Sequence, residues 1–145
     1  MSTPVITYEL DGQIALIGLN RPDKRNAMSP ALNKEMLGVL EDLELDERCG
    51  VIVLTGAGDA FTAGMDLKEY FRETDHLTPD ERARIFRVNA QWQWRRLRFY
   101  PKPTIAMVNG PAAGSGMDMA TQCDIRVGCE NTRFITTCAT AILPS

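Results

Sequence analysis

The chain has 145 residues, of which 44% are hydrophobic and 24% are charged, and a formal net charge of -3 at pH 7. This length suits one ordinary domain, and this composition excludes the disordered and membrane-spanning classes. The acidic balance and the scattered basic residues argue against a nucleic-acid partner. No apolar stretch approaches bilayer length, so no membrane partner is expected either.

Cellular compartment and metal content follow from the N-terminus and the few cysteines and histidines. Residues 1–4 have neither a signal-peptide core nor an Arg-rich amphipathic run, so neither export nor organelle import is expected. Four cysteines lack metal-type spacing and lie in or beside apolar segments: Cys49, Cys123, Cys129 and Cys138. We interpret them as buried thiols of a reducing, cytoplasmic compartment. The one histidine, His76, is expected at the surface, and no metal site is expected.

The first half of the chain predicts a hairpin, a helix and a buried strand. Two β-rich runs, Val5–Leu10 and Ile14–Leu19, are separated by an Asp-Gly turn signal. Ser29 is placed to cap a helix that has proline in its first turn and an apolar stripe running to Leu43. The continuous apolar run Val51–Leu54 predicts a strand covered on both faces.

The second half alternates helices and strands. Asp66 is placed to cap a short helix, and Glu69 completes a capping-box pair. Further elements are predicted as a helix from Thr78 to about Leu97, a strand Thr104–Val108, a turn Asn109–Pro111, a helix Gly114–Gln122, a strand Cys123–Val127 and a weaker strand Phe134–Ala141. This order predicts an α/β domain with helices packed on a sheet.

Two local constructions share one design. Each is an apolar strand followed by small residues and a helix start, at Ala63–Asp66 and at Asn109–Gly116. Helix N-termini carry unpaired backbone N–H groups, and glycine and alanine allow a ligand to approach them closely. Two such ends that face each other would stabilise a developing oxyanion. The spacing leaves open whether these two converge or are only connectors.

Three ordered motifs carry a family resemblance. Asn20–Ala27, Ala63–Leu67 and Val108–Asp118 resemble motifs of the crotonase (enoyl-CoA hydratase/isomerase) superfamily, which together cover about Val5 to Phe134. The resemblance implies a ClpP/crotonase-like α/β fold with a ββα-type spiral core that is incomplete at the C-terminus. Residues 20–108 are most similar to the hydroxycinnamoyl-CoA (feruloyl-CoA) hydratase-lyases. On this basis residues 1–145 are expected to form a single crotonase-like domain that lacks the C-terminal half and the helical trimerisation region.

The resemblance also implies roles for individual residues. The backbone N–H groups of Met65 and Ser115 would form an oxyanion hole for a thioester carbonyl. Residues near coenzyme A or flanking the two donors would be Lys24, Arg25, Ala27, Ala63, Gly64, Asp66 and Gly114. For Lys24 and Arg25 a solvated turn is an equal alternative. Coenzyme A would enter as part of the substrate, with no tightly bound cofactor.

Asp118 is the candidate acid/base. It falls where many hydratases have the first of two catalytic glutamates, and it would activate the water that adds to the double bond. An acidic residue in the first turn of a helix is also favoured by the helix dipole alone. The second glutamate has no counterpart within residues 135–139, where Cys138 is the nearest match.

Three functions are compatible with these features. The first is an acyl-CoA hydratase or lyase that stabilises a thioester enolate, and the second is an inactive remnant that binds acyl-CoA or caps an oligomer. The third is a dinucleotide-binding module, based on the glycine run Gly110–Gly116 with Glu130 beyond it. Four aromatic residues fit two interpretations, the lining of an aromatic acyl pocket or the protein core: Tyr70, Phe71, Trp92 and Trp94. The expected partners are an acyl-CoA and further copies of the chain, through self-association.

Overall fold

The computed structural model describes residues 3–136. Within that range the strands are β1 Ile6–Asp11, β2 Ile14–Leu19, β3 Val51–Gly56, β4 Thr104–Val108, β5 Pro111–Ala113, β6 Ile125–Gly128 and β7 Arg133–Ile135. The α-helices are α1 Pro30–Leu45, α2 Pro79–Ala90 and α3 Ser115–Gln122. Shorter helical pieces are a 3-10 turn at Pro22–Lys24 and π-helical segments at Lys68–Arg72 and Gln91–Leu97.

A five-stranded main sheet has the order β1-β2-β3-β4-β6. β1 and β2 pair antiparallel through the predicted hairpin, and the other neighbours pair parallel. Parallel neighbours require crossovers, and all three here contain an α-helix. The predicted α/β class and the hairpin are therefore confirmed.

One face of the main sheet packs on α1. Ser29 caps this helix by accepting a hydrogen bond from the Leu32 N–H at 3.1 Å. The buried stripe of the helix meets the alternate strand residues that point toward it. Core residues from these two layers are Leu32, Met36, Leu40, Leu43, Ala15, Ile17, Ile52, Leu54 and Ala106.

The other face, which we call the outer face, is less covered than expected. Strand β3 alternates between fully buried and half-buried residues, so the prediction that both its faces are covered was wrong within the described residues. The reason is that α1 lies on one side only. The outer face carries apolar residues on four strands: Ile14, Leu16, Val51, Val53, Ile105, Met107, Ile125 and Val127. Ile125 and Val127 are 52% and 51% exposed.

A second, two-stranded sheet replaces part of the predicted turn after β4. Pro111 begins β5, which pairs parallel with β7. Ala112 of β5 also forms an isolated parallel bridge with Thr62. The carbonyl of Pro111 accepts hydrogen bonds from the N–H groups of Phe61 and Thr62. Proline is tolerated as the first residue of a strand because its missing N–H is not needed there. The weaker predicted strand is β7, and its predicted end at Ala141 lies outside the described residues.

The capping box predicted at Asp66 and Glu69 forms only in part. The carboxylate of Asp66 accepts a hydrogen bond from the Glu69 N–H at 3.0 Å, as predicted. The reciprocal half of that capping box was wrong, because the Glu69 side chain binds Arg21 instead. The full capping box is at Thr78, and that helix does continue to Leu97, with its last seven residues in π-helical form.

The remaining expectations concern single residues and long apolar helices. His76 is exposed, and Cys49 and Cys123 are buried free thiols, as predicted. Cys129 is exposed, so the prediction of a buried thiol was wrong there, and Cys138 lies outside the described residues. In the described range, no helix is long and apolar enough to cross a membrane, and no cluster of three His, Cys, Asp or Glu side chains suits a metal ion.

Candidate active site

The first proposed donor, the backbone N–H of Met65, lies in a short parallel bridge with Met28. The Met28 N–H donates to the Gly64 carbonyl at 2.7 Å, and the Met28 carbonyl accepts from the Asp66 N–H at 3.0 Å. In such a bridge the central residue of the partner segment turns its own N–H away. The Met65 N–H accordingly has no acceptor among residues 3–136.

Arg21 holds this segment in place. Its guanidinium donates to the Ala27 carbonyl at 2.6 Å, to Asp66 at 3.1 Å and to Glu69 at 3.0 Å. The side chains of Arg21 and Asp66 are each only 12% exposed, so solvent screens this pair weakly. Burial opposes ionisation of Asp66, but the Glu69 N–H and Arg21 outweigh it and lower the pKa of this carboxyl. The Asp66 side chain is therefore occupied in fixing the loop.

Buried polar side chains connect the Asn20–Ala27 loop to the same place. Asn26 is fully buried and donates to the carbonyls of Ala57 and Ala60 at 2.8 and 2.9 Å. The Thr62 hydroxyl donates to the Asn26 carbonyl at 2.7 Å and accepts from the Gly64 N–H at 3.1 Å. These contacts satisfy the loop's own polar groups, as burial requires.

The second proposed donor, the Ser115 N–H, begins α3. Gly114 precedes it with φ +54°, and the Gly114 N–H donates to the Ile135 carbonyl at 2.9 Å. The Ser115 N–H is one of the helix N-terminal donors that have no intrahelical partner. It also has no acceptor elsewhere in the described part of the chain.

The two segments converge, which the spacing had left open. A Cβ added at Gly64 would lie 2.6 Å from the Ala113 carbonyl oxygen and 3.6 Å from the Ser115 nitrogen. Gly64 also has φ +90°, a conformation that residues with a Cβ rarely adopt. Only glycine therefore allows the backbone before Met65 to touch the backbone before Ser115. Two unpaired N–H groups on touching segments suit a developing oxyanion.

Asp118 lies in the first turn of α3, as predicted. Its carboxylate has no hydrogen-bond donor among the described residues, and partial burial raises its pKa. A raised pKa brings a carboxyl closer to the range in which it can exchange protons at neutral pH. Asp118 and Asp66 thus have opposite pKa shifts because one lacks a partner and the other has two.

A cleft of about 570 Å³ leads toward the paired segments. Its lining includes Arg25, Ala63 and Ala113, and the last two immediately precede Gly64 and Gly114. Lys24 is exposed and is not part of this lining. Ala27 is half-buried behind the loop, where its carbonyl binds Arg21. Of the residues predicted to bind coenzyme A, Arg25 and Ala63 thus line the cleft, whereas Lys24, Ala27, Gly64, Asp66 and Gly114 are not part of its lining.

Sequence reasoning overlooked the residues that fix this geometry. Arg21 and Asn26 lie inside the quoted Asn20–Ala27 motif, but they were treated there as parts of a loop. A signal was available, since an arginine and an asparagine within a short turn are able to bind distant backbone groups. No role was predicted for Gln93, although its amide donates a hydrogen bond to the Ser115 carbonyl oxygen at 3.1 Å.

The aromatic residues divide between core and surface. Tyr70 and Trp92 are fully buried, and both side chains hydrogen-bond to Asn33, the indole N–H at 3.0 Å. Phe71 and Trp94 are about half exposed, at 48% and 49%. Within the described residues, core packing therefore accounts for Tyr70 and Trp92.

The dinucleotide interpretation of the glycine run was wrong. A dinucleotide fingerprint runs from a strand directly into a helix. Here β5 interrupts the run between Gly110 and Gly114 and pairs with β7. The run therefore builds a second strand and a tight helix start.

Comparisons with known proteins agree with this arrangement. Residues 9–141 match the family described as enoyl-CoA hydratase/isomerase. The hydroxycinnamoyl-CoA hydratase-lyase of Pseudomonas fluorescens is 54% identical over 129 residues, which are 89% of this chain and 47% of that protein. The short-chain-enoyl-CoA hydratase of Clostridium acetobutylicum is 37% identical over 130 residues, 89% of this chain and 48% of that protein.

Solved structures give the same result. The crystal structure of an enoyl-CoA hydratase from Polaromonas sp. JS666 superimposes with a TM-score of 0.85 at 31% identity, covering 95% of this chain and 53% of that one. The chain thus spans about half the length of the relatives that it matches. The crotonase-type fold expected from the motifs is confirmed, and the chain belongs to the enoyl-CoA hydratase/isomerase family.

Proposed function

We propose that this chain binds an acyl-CoA thioester and stabilises its enolate as part of an enoyl-CoA hydratase or hydratase-lyase. The observation that supports the proposal is the contact between Gly64 and the backbone around Ser115, because the N–H groups of Met65 and Ser115 on these segments have no acceptor among the described residues. Both donors would bind the thioester carbonyl oxygen. Negative charge grows on that oxygen when a nucleophile adds to the conjugated double bond, so both hydrogen bonds strengthen in the transition state.

Asp118 is the proposed acid/base. It would take a proton from the attacking water as the oxygen bonds to the β-carbon of the enoyl group, while the electron pair moves onto the thioester oxygen. A proton returned to the α-carbon then gives the 3-hydroxyacyl-CoA. With a hydroxycinnamoyl group, cleavage between the α- and β-carbons would release an aldehyde and acetyl-CoA. The raised pKa of Asp118 suits such proton exchange.

Coenzyme A would lie in the cleft beside Arg25 and Ala63. Arg25 has no ion-pair partner among the described residues, so its charge is available for a phosphate. Lys24 would approach the same phosphates from the solvent side, and Ala27 would border the adenine. No tightly bound cofactor takes part in this proposal.

The test is consumption of crotonyl-CoA and feruloyl-CoA by the purified chain, followed by absorbance. We expect turnover that falls at least a hundredfold in Asp118→Asn, since general acid–base catalysis contributes about 10²–10⁴-fold. Asp75→Asn is the matched control, because this exposed aspartate is outside the site and its loss is expected to leave the rate unchanged. Faster loss of feruloyl-CoA than of crotonyl-CoA would agree with the similarity to the Pseudomonas enzyme.

A binding measurement on the same samples separates an inactive acyl-CoA binder from a protein that does not bind. Calorimetric titration with butyryl-CoA gives binding without chemistry at a double bond. Binding without consumption of either substrate would refute catalysis by this chain and retain the thioester site. If neither binding nor consumption occurs, the proposed function is wrong.

Self-association is the second proposed property. The apolar outer face is continuous with β6, which is the last strand of the main sheet in the described residues. Exposed strand edges beside apolar surface favour pairing with another chain, and we propose a second copy as the occupant. Buried free thiols at Cys49 and Cys123 agree with a reducing, cytoplasmic setting.

Val127→Lys tests this surface, because it places a charge at the centre of the exposed β6 residues. We expect sedimentation velocity to show oligomers for the parent chain and a shift toward monomer for the variant. Leu45→Lys is the control, since Leu45 is 84% exposed at the end of α1 and outside the sheet. Monomers in the parent chain at all concentrations would contradict the proposal.

A further inference from the structure

Gln93 is a buried amide that contacts the segment of one proposed oxyanion donor, Ser115, and the residue that pairs with the other, Met28. It lies in the π-helical segment after α2 and is 1% exposed. Its Nε2 donates to the Ser115 carbonyl oxygen at 3.1 Å and lies 3.4 Å from the sulfur of Met28. π-helical turns are rare in proteins, and those that do occur are often found at functional sites.

Met28 links this amide to the first donor. The two backbone groups of Met28 bind Gly64 and Asp66, the neighbours of Met65 on either side. A shift of Met28 would therefore move Met65, and a shift of Gln93 would release Ser115. One side-chain amide is thus connected to both donor segments, directly to that of Ser115 and through Met28 to that of Met65.

The oxygen atom of the Gln93 side-chain amide destabilises the folded state. The Gln93 Oε1 atom is buried without a hydrogen-bond partner among the described residues. Turning the amide over would place Oε1 against the Ser115 carbonyl, so two acceptors would face each other. A methionine would fill the same volume without leaving a buried polar atom. The donor bond to Ser115 is the property that the amide has and a methionine lacks.

We propose that Gln93 is a positioning residue for the oxyanion hole. It fixes the Ser115 backbone relative to the Met28–Met65 bridge, so that both N–H groups aim at one oxygen. The inference rests on the proposed function, and it predicts that the loss of Gln93 changes polarisation of the thioester carbonyl without changing how coenzyme A binds.

The experiment compares the parent chain with Gln93→Met by two measurements. Calorimetry with S-butyl-CoA, a thioether without the carbonyl, measures binding of the coenzyme alone. Infrared difference spectra of butyryl-CoA labelled with ¹³C at the carbonyl measure how strongly the bound carbonyl is polarised. We expect thioether affinity to stay within about twofold, the carbonyl shift to fall by half or more, and turnover to fall about a hundredfold, as for a small misplacement of a catalytic group.

Gln91→Met is the matched control, because Gln91 is exposed on the same helical segment. An unshifted carbonyl in the bound parent complex would refute the oxyanion hole itself. A normal shift in the parent that persists in Gln93→Met would refute only the role of Gln93.

Gln93→Glu provides a second, conservative variant, also needed if Gln93→Met does not melt cooperatively. As a carboxylate it offers only acceptors to Ser115, whereas the protonated acid can donate. Burial at this position raises the pKa of the introduced carboxyl, so we expect the carbonyl shift to match the parent's while this acid is protonated and to be lost as the pH rises through its raised pKa. A shift that persists after infrared spectra show the carboxyl to be ionised would overturn the proposal.

Discussion

The two halves of the proposed oxyanion hole are held in place by different kinds of interaction. The Met65 half is fixed by charge, because Arg21 binds Asp66 and Glu69 at the edge of the loop. The Ser115 half is fixed by neutral hydrogen bonds, from Gln93 and from Gly114 to Ile135. Changes of pH should therefore act mainly on the first half, whereas changes of packing should act on both.

One acid from each half, Asp66 and Asp118, shows the same contrast. Asp66 has a lowered pKa because donors surround it, and Asp118 has a raised pKa because burial acts on it without a donor. Acids whose environments move their pKa values apart take different roles. Asp66 is suited to hold the loop, and Asp118 is suited to exchange a proton.

The largest effect is expected where the halves touch. Gly64→Ala should lower the free energy of unfolding by about 3 kcal/mol or more, because strain at positive φ and the clash with Ala113 add together. Chemical denaturation measures this loss, and thioester binding should disappear with it. Unchanged stability and binding would show that the halves tolerate separation.

Gly38→Ala is the control for that substitution. Gly38 lies within α1, and nothing is within 4 Å of a Cβ added there. Alanine should stabilise this helix by about 0.5–1 kcal/mol. Opposite signs at Gly64 and Gly38 would assign the first effect to the contact between the halves.

The next effect tests the charged half alone. Arg21→Met should lower the free energy of unfolding by about 2 kcal/mol at pH 7, since it leaves Asp66 mostly buried beside no cation. The pKa of Asp66 is lowered on folding, so its stabilisation exists above the unfolded pKa and is lost as pH falls through the folded one. The deficit of Arg21→Met should therefore shrink in urea titrations below about pH 4.

Arg48→Met is the matched control for this ion pair. Arg48 binds Asp46 at 2.7 Å, but its side chain is 78% exposed. Solvent screens exposed pairs, so they contribute little to stability, and this variant should unfold almost like the parent at pH 7. Equal losses at Arg21 and Arg48 would contradict the distinction between a buried and a solvated pair.

The sequence predicted elements whose cause is local. The hairpin, the Ser29 cap, the Asp66 cap and the start of α3 all follow from residues within a few positions of one another. The family resemblance then supplied what periodicity could not, namely that two distant strand ends serve one site. That expectation depended on motifs rather than on any calculation of spacing.

What remained hidden depends on contacts between distant segments. Arg21 reaches Asp66 and Glu69 across more than forty residues, and Gln93 reaches Ser115 from a different helix. The Glu69 half of the predicted capping box was wrong for this reason, since a tertiary ion pair outcompeted a local hydrogen bond. The coverage of β3 was wrong because one apolar run looks the same whether one face or two are packed.

The smallest effect concerns the acid of the neutral half. Asp118→Asn should raise the free energy of unfolding at pH 7 by less than about 1 kcal/mol, because the group is partly exposed and solvent screens it. Its pKa is raised on folding, so the folded state binds the proton more tightly and the parent loses stability as pH rises between the unfolded and folded pKa values. The gain of the variant should thus be present at neutral pH and absent below about pH 4. Thermal melts of both proteins across this range measure it. A variant that is less stable than the parent at pH 7 would mean that the Asp118 carboxylate stabilises the fold, and the two acids would then differ only in degree.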